Sequence, residues 1–383
     1  MNKLRDLVDK IKPHFSKGGK LEKLESTFDA FETFLFVPNT VAKTGSHIRD
    51  SIDLKRVMIL VVVAAIPAMF FGMWNIGFQH YSALGKEATF WTQMGYGAFK
   101  FIPLLVVSYV VGLGIEFAFA QSRGHEVNEG YLVSGFLIPL IVPPDLPLWM
   151  LAVSVAFAVI FGKEVFGGTG MNVFNPALLS RAFLFFAYPS YMSGDKVWIA
   201  ADGVTQATPL GTALTYTGDN LSADIPSFYD MFIGIMPGSV GETSALMILI
   251  GAVILLFTRM ASWRIMLSIL IGGYVMGWIF NMVGSNPYMD LPPHYHFVMG
   301  GFAFGMVFMA TDPVSAAQTN RGKWIYGFLI GFFAVLLRVV NPAYPEGMML
   351  AILLMNAFSS LIDYYVIEAN VKKRLKRLKL RKA

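Results

Sequence analysis

The 383-residue chain contains no cysteine. Without a thiolate it cannot by itself hold a Cys-ligated iron-sulfur cluster, a thiolate zinc site, a thioether-linked cofactor or a disulfide, so redox chemistry here would call for an organic cofactor. Charge is scarce too. Asp, Glu, Lys and Arg make up 14% of the residues, against about 25% in an ordinary soluble domain. Together with 55% hydrophobic residues, 33 Phe and 22 Met, this excludes extended disorder and a nucleic-acid-binding fold and points to an integral membrane protein. The N-terminal stretch does not read as a targeting signal. Residues 1–56 are polar, carry Lys and Arg throughout and lack an apolar core followed by small residues, so they read as a retained N-terminal segment. Within it, Phe28, Phe31, Phe34, Leu35 and Phe36 fit a short amphipathic piece lying on a membrane surface, with a solvated tail as the plainer alternative.

What the chain has in abundance is apolar runs. A spanning helix needs about 20 largely apolar residues, and polar or Gly/Pro-rich breaks separate ten candidates: 57–74, 99–120, 131–142, 148–161, 175–187, 244–257, 265–282, 296–310, 324–339 and 348–366. Several are short. The third ends in Pro143-Pro144 and the fifth opens with Asn175-Pro176, as expected of part-helices that cross only by leaning on protein neighbours.

Lys and Arg set the orientation, because short loops rich in them stay in the cytoplasm. Eleven precede residue 57 and eight follow residue 366. An even number of spans puts both of those ends inside, together with the loops that hold Arg123, Lys163, Arg259 with Arg264, and Arg321 with Lys323. The long segment 188–234 and the Lys- and Arg-free stretch 284–293 then lie outside. A weak repeat agrees with this spacing: Asn175-Pro176-Ala177 recurs as Asn341-Pro342-Ala343, 166 residues on. The expected fold is therefore an all-α polytopic membrane protein of about ten transmembrane helices in two inverted five-helix repeats, with sites near the midplane where the halves meet. Residues 1–56 form a cytoplasmic segment, 57–366 the membrane domain and 367–383 a basic cytoplasmic tail.

Few residues within the apolar runs can carry chemistry. Glu116 lies in the second, where an unpaired carboxylate costs about 3 kcal/mol near a helix centre. A functional role is the first reading, and snorkelling to the inner face is the second. Gly112 and Gly114 flatten one side of the same helix, either for close helix packing or for the entry of a flat apolar ring. Asp312 precedes Pro313 in the manner of an N-cap followed by Pro at the first helical position. With Asp363 and Glu116 it lies towards the inner helix ends, and all three are of the oxygen-donor type a hard cation such as Na⁺ requires. The Gly-rich stretch 167–176 lacks the Lys-Ser/Thr of a P-loop, so nucleotide binding there is rejected. It offers irregular backbone and two amides, Asn172 and Asn175, that suit a polar heterocycle, although Asn175 also fits a plain cap. By its residue types alone the segment 202–210 attracts no notice.

Taken together, residues 46–56, 125–130, 163–172, 175–189, 310–316 and 339–353 resemble the family of the B subunit of the sodium-translocating NADH:quinone reductase, over nearly the whole chain. The D subunit of the Rnf ferredoxin:NAD oxidoreductase, a paralogue, is the alternative, but it lacks a long N-terminal segment. A solute channel or carrier would suit the same architecture and is the reading from a different class. The family resemblance implies an FMN joined through its phosphate to a threonine hydroxyl by a dedicated flavin transferase. The matching motif is Thr205-Gln206-Ala207-Thr208, which assigns the bond to Thr208; Gln206 and Pro209 depart from the usual residues. It further implies a non-covalent riboflavin at Asn172 and Asn175, and a quinone site at Gly112, with Leu113 in place of the family's second glycine. Sodium handling would fall on Asp29, Glu116, Asp312 and Asp363. The complex so implied has six subunits, this one and five others, sits in the bacterial inner membrane, and keeps NADH, FAD and iron-sulfur centres on other chains.

Overall fold

The computed structural model describes residues 2–15, 54–123, 130–192, 199–201, 204–205, 208–216, 225–341 and 346–382, with isolated positions between 21 and 46 and at 221. The architecture is helical apart from a two-strand antiparallel ribbon, Ile199–Ala201 with Val204–Thr205. In chain order the helices are α1 (Asn2–Phe15), α2 (Leu54–Ala83), α3 (Phe90–Arg123), α4 (Tyr131–Ile141), α5 (Leu148–Val159), α6 (Pro176–Ala187), α7 (Pro189–Met192), α8 (Pro209–Thr215), α9 (Phe228–Ile233), α10 (Ala245–Phe257), α11 (Trp263–Val283), α12 (Tyr295–Val298), α13 (Phe302–Phe304), α14 (Asn320–Val340) and α15 (Met348–Lys382). Two π-helical turns interrupt them, Ile160–Glu164 after α5 and Gly305–Met309 after α13.

Among the described residues five helices are long and apolar enough to cross a membrane: Val57–Ala83 within α2, α3, α11, α14 and Met348–Leu378 within α15. The other apolar segments run shorter. α4, α6 and α10 have 11, 12 and 13 residues. Their ends follow from sequence: α4 stops before Pro143-Pro144, while α6 begins where Asn175 accepts from the Ala177 and Leu178 amides with Pro176 at the first helical position, a position where the missing N–H costs nothing.

The expected span 296–310 differs most from a plain helix. It is broken into α12, α13 and a π turn, with Gly300 at φ +58° between them. Residues 301–310 are buried in protein, which is the condition under which irregular backbone survives in an apolar setting. At the other end of the chain, α15 continues through the basic residues to Lys382. Residues 367–382 hold neither Gly nor Pro and are rich in Lys, Arg and Leu, all good helix formers.

Close packing in the second half relies on small residues. A Cβ on Gly272 would meet the backbone of Phe328, and one on Gly331 the backbone of Ile269, so α11 and α14 approach through reciprocal glycines. Stacking also ties part of the N-terminal segment to α1: the Phe28 ring lies 4.7 Å from that of Phe15.

Candidate functional site

α6 runs past two buried polar groups. At its start, Asn172 and Asn175 are 8% and 5% exposed and line a cavity. Asn172 donates to the Phe174 carbonyl at 3.0 Å, which occupies one of its two amide protons. Asn175 caps α6 through its side-chain oxygen, and its amide nitrogen reaches 3.5 Å from the carbonyl of Met309 in the second π turn. Val61, Val133, Leu137 and Phe308 supply apolar walls, and Lys163 and Asp312 add two charges. Apolar faces with polar groups at the edge suit a flat heterocycle.

Lys163 is where the structure departs from a charge-count reading. The sequence places it as a loop charge, yet it lies in the π turn Ile160–Glu164, 3% exposed, with its ammonium paired to Glu116. Glu116 is 4% exposed, so it does not snorkel to an aqueous face. Its Oε1 takes the Lys163 bond while Oε2 is buried with no partner among the described residues. One residue on, Glu164 is engaged by Arg123, whose guanidinium lies 3.1 Å from Oε2.

The remaining carboxylates are tied locally. Asp312 accepts from the Val314 amide at 3.2 Å and the Ser315 hydroxyl at 2.7 Å. The residues after it form a turn rather than the helix that Pro313 suggests, because the next helix waits for Thr319, the cap of α14. Asp363 on α15 accepts from the Gln318 and Thr319 amides at 2.6 and 3.0 Å and from the Thr319 hydroxyl. These bonds pin the start of α14. Asp363 does not reach the cavity, and Asp29 falls outside the described residues.

Gly112 faces protein. A Cβ there would run into the ring of Tyr131, a fully buried residue whose hydroxyl donates to the Ser108 carbonyl at 3.0 Å. Beside it Leu113 is half-buried, and Gly114 opens on empty space.

Further along α6, Arg181 sits about 9 Å beyond Asn175 at 1.5 Å per residue. Its guanidinium pairs with Glu242 at 2.5 Å and with Glu346. Burial raises the Glu346 carboxyl to about 7 against the pull of Arg181, with Glu242 adding to the rise. Arg338, fully buried near the end of α14, donates to the carbonyl of His296 at 2.7 Å. Three buried polar atoms in this region, Arg338 Nε, His296 Nδ1 and Tyr288 Oη, have no partner among the described residues. A Cβ on Gly300 would meet Leu210 first and then Arg338, which places α8 directly over this group. Thr208, half-buried, is the N-cap of α8 and accepts from the Gly211 amide at 3.1 Å.

The structure thus gathers Asn172, Asn175 and Asp312 at one cavity and links Glu116 to it through Lys163. It sets α8, the helix that Thr208 caps, against a second polar group that sequence reasoning did not single out. Arg181 and Arg338 had a usable signal, since a charge inside an apolar run is a functional candidate wherever it falls.

The chain is also similar to known proteins. The profile described as the NQR2, RnfD, RnfE family matches residues 41–372. A protein of Chromohalobacter salexigens, named as the B subunit of Na(+)-translocating NADH-quinone reductase, is 50% identical over 397 residues, 98% of this chain and 96% of its own length. Proteins of the same name from Pseudomonas aeruginosa (strain LESB58) and Klebsiella pneumoniae (strain 342) are each 49% identical, covering 98% of this chain and 99% of their own.

Proposed function

The chain belongs to the NQR2, RnfD, RnfE family, and from that premise we propose that it is a membrane subunit of a sodium-pumping NADH:quinone oxidoreductase, an electron-transferring translocase. The observation that carries this reading is end-to-end identity near one half with proteins named as the B subunit of that reductase. Full coverage of their length favours it over the Rnf paralogue and over a solute channel.

On this reading the chain carries FMN on the Thr208 hydroxyl, attached by a flavin transferase, and riboflavin in the cavity at Asn172 and Asn175. It works with five further subunits in a bacterial inner membrane, with ten spans in inverted halves, both termini cytoplasmic and the Thr208 loop outside. The flavins would supply electron transfer towards quinone. The chain's own residues have distinct tasks. Thr208 offers a hydroxyl at a helix N-cap, where a phosphate ester is favourably placed. The unpartnered groups of Arg338, His296 and Tyr288 behind α8 support a polar heterocycle there. Asn172 offers its unspent amide groups to a ring edge, and Asn175 joins the cavity to the second π turn. Na⁺ handling would fall on Glu116, Asp312, Asp363 and Asp29, with Asp312 lining the cavity and Glu116 joined to it through Lys163; quinone would act near Gly112 and Leu113.

The test is direct. The denatured full-length chain is expected to fluoresce as a flavin under ultraviolet light, Thr208→Ala to abolish that fluorescence while the protein still inserts, and Thr205→Ala to retain it. A fluorescent Thr208→Ala band would refute the attachment site.

A further inference from the structure

Among the described residues the Lys163–Glu116 pair is the most deeply buried ion pair, each side chain being 4% exposed. It is also incomplete. One carboxylate oxygen holds the ammonium, and the other is buried without a partner, an arrangement that is costly unless something else compensates the charge. Lys163 stands on a π-helical turn, an insertion that re-aims side chains and recurs at functional positions. The same residue lines the cavity that Asn172, Asn175 and Asp312 enter. Its neighbour Glu164 offers no competing site, being held by Arg123 through both side chain and carbonyl. A lysine ammonium on four flexible carbons therefore has two polar surroundings within reach, the Glu116 carboxylate and the cavity.

Resting on the reading that electrons from NADH reach a flavin in this cavity, we propose that Lys163 is a tethered cation that occupies the place of Na⁺ at Glu116 and gives it up when negative charge enters the cavity. With the cavity neutral, the ammonium neutralises Glu116 and keeps Na⁺ out. An added negative charge draws Lys163 towards the cavity. Glu116, too buried to remain uncompensated, then takes Na⁺, with Oε2 already free to ligate it. No covalent bond changes: one unit of negative charge gained in the cavity is matched by one Na⁺ gained at Glu116. Lys163 is in this scheme a positioning residue whose displacement links the two events, and linkage requires the effect to be reciprocal.

The intact complex provides the test, through equilibrium binding of radioactive sodium and through the flavin midpoint potential with and without Na⁺. Lys163→Gln removes the competitor, so the oxidised complex should bind Na⁺ about tenfold more tightly and the flavin potential should cease to depend on Na⁺. Lys163→Arg keeps a cation and should retain both parental behaviours. The variant Lys163→Gln should also assemble better in Na⁺ than in choline, because Na⁺ then compensates Glu116. Should it fail to assemble in either, Lys163→Met with Glu116→Gln gives a neutral pair that is expected to assemble and to lose this Na⁺ site. Parental or weaker Na⁺ binding in Lys163→Gln, or parental binding in the neutral pair, overturns the tether. A complex whose chain holds no flavin would instead refute the proposed function, while the binding comparison would still decide the role of Lys163.

Discussion

Gly112 shows how much a single residue's surroundings decide. Its Cβ position is filled by the ring of Tyr131, so Gly112→Ala should disturb the packing of α3 against α4 by about 1–3 kcal/mol, the usual cost of overfilling a core. Adding Tyr131→Leu makes room and should restore the unfolding midpoint of the detergent-solubilised complex. If quinone kinetics recover along with it, Gly112 serves packing alone; kinetics that stay altered in the restored double variant identify contact with quinone. Glu116 carries the parallel lesson. From sequence it was a carboxylate in an apolar run with snorkelling as its plainer reading. Its burial against Lys163 was not legible, because the partner is 47 residues away and looked like an inner-loop charge.

Among the elements, α14 begins where α15 allows it to. Asp363 accepts two amides and a hydroxyl from residues 318 and 319, so Asp363→Ala should lower the unfolding midpoint through loss of a cap, about 1–2 kcal/mol, and leave the sodium dependence of turnover unchanged. A shifted sodium curve with an unchanged midpoint would return Asp363 to the sodium pathway. Helix termini of this kind are partly readable. Asn175-Pro176 announces the start of α6, whereas Asp312-Pro313 carries the same signal and yields only a turn, since Asp363 and Thr319 fix the real start further along the chain. The break of the 296–310 run into α12, α13 and a π turn was not visible either: its residues are apolar almost throughout, and apolar periodicity does not register where backbone bonding fails.

At the scale of the molecule, a buried ionic group joins residues far apart in the chain. Arg181 holds Glu242 and Glu346 from two other segments. Arg181→Met removes the guanidinium bonded to both carboxylates and should destabilise the complex by about 3–5 kcal/mol, and adding Glu242→Gln and Glu346→Gln should recover most of that in thermal unfolding. Glu346 also gives a pH signature. Its carboxyl is raised in the folded protein from 4.5 to about 7. The native state therefore holds the extra proton between those values, and this contribution to stability is lost as pH rises through the upper one. Glu346→Gln removes the loss, so its unfolding midpoint should gain on the parent's between about pH 5 and pH 8. A constant difference across that range would contradict the shift.

Composition by itself determined that this chain lives in a membrane, because too few charges and too many apolar residues leave it no soluble fold. The order of the apolar runs likewise located most of the long helices, the 296–310 run excepted, and the roles proposed for Thr208, Asn172 and Asn175 rest on the family resemblance. The tertiary structure alone decided which charges compensate one another. In an apolar interior each charged group must find a counter-charge, and the partners of Glu116 and Arg181 come from segments that no local pattern connects. For the same reason only the folded chain could show Lys163 standing between the carboxylate and the cavity.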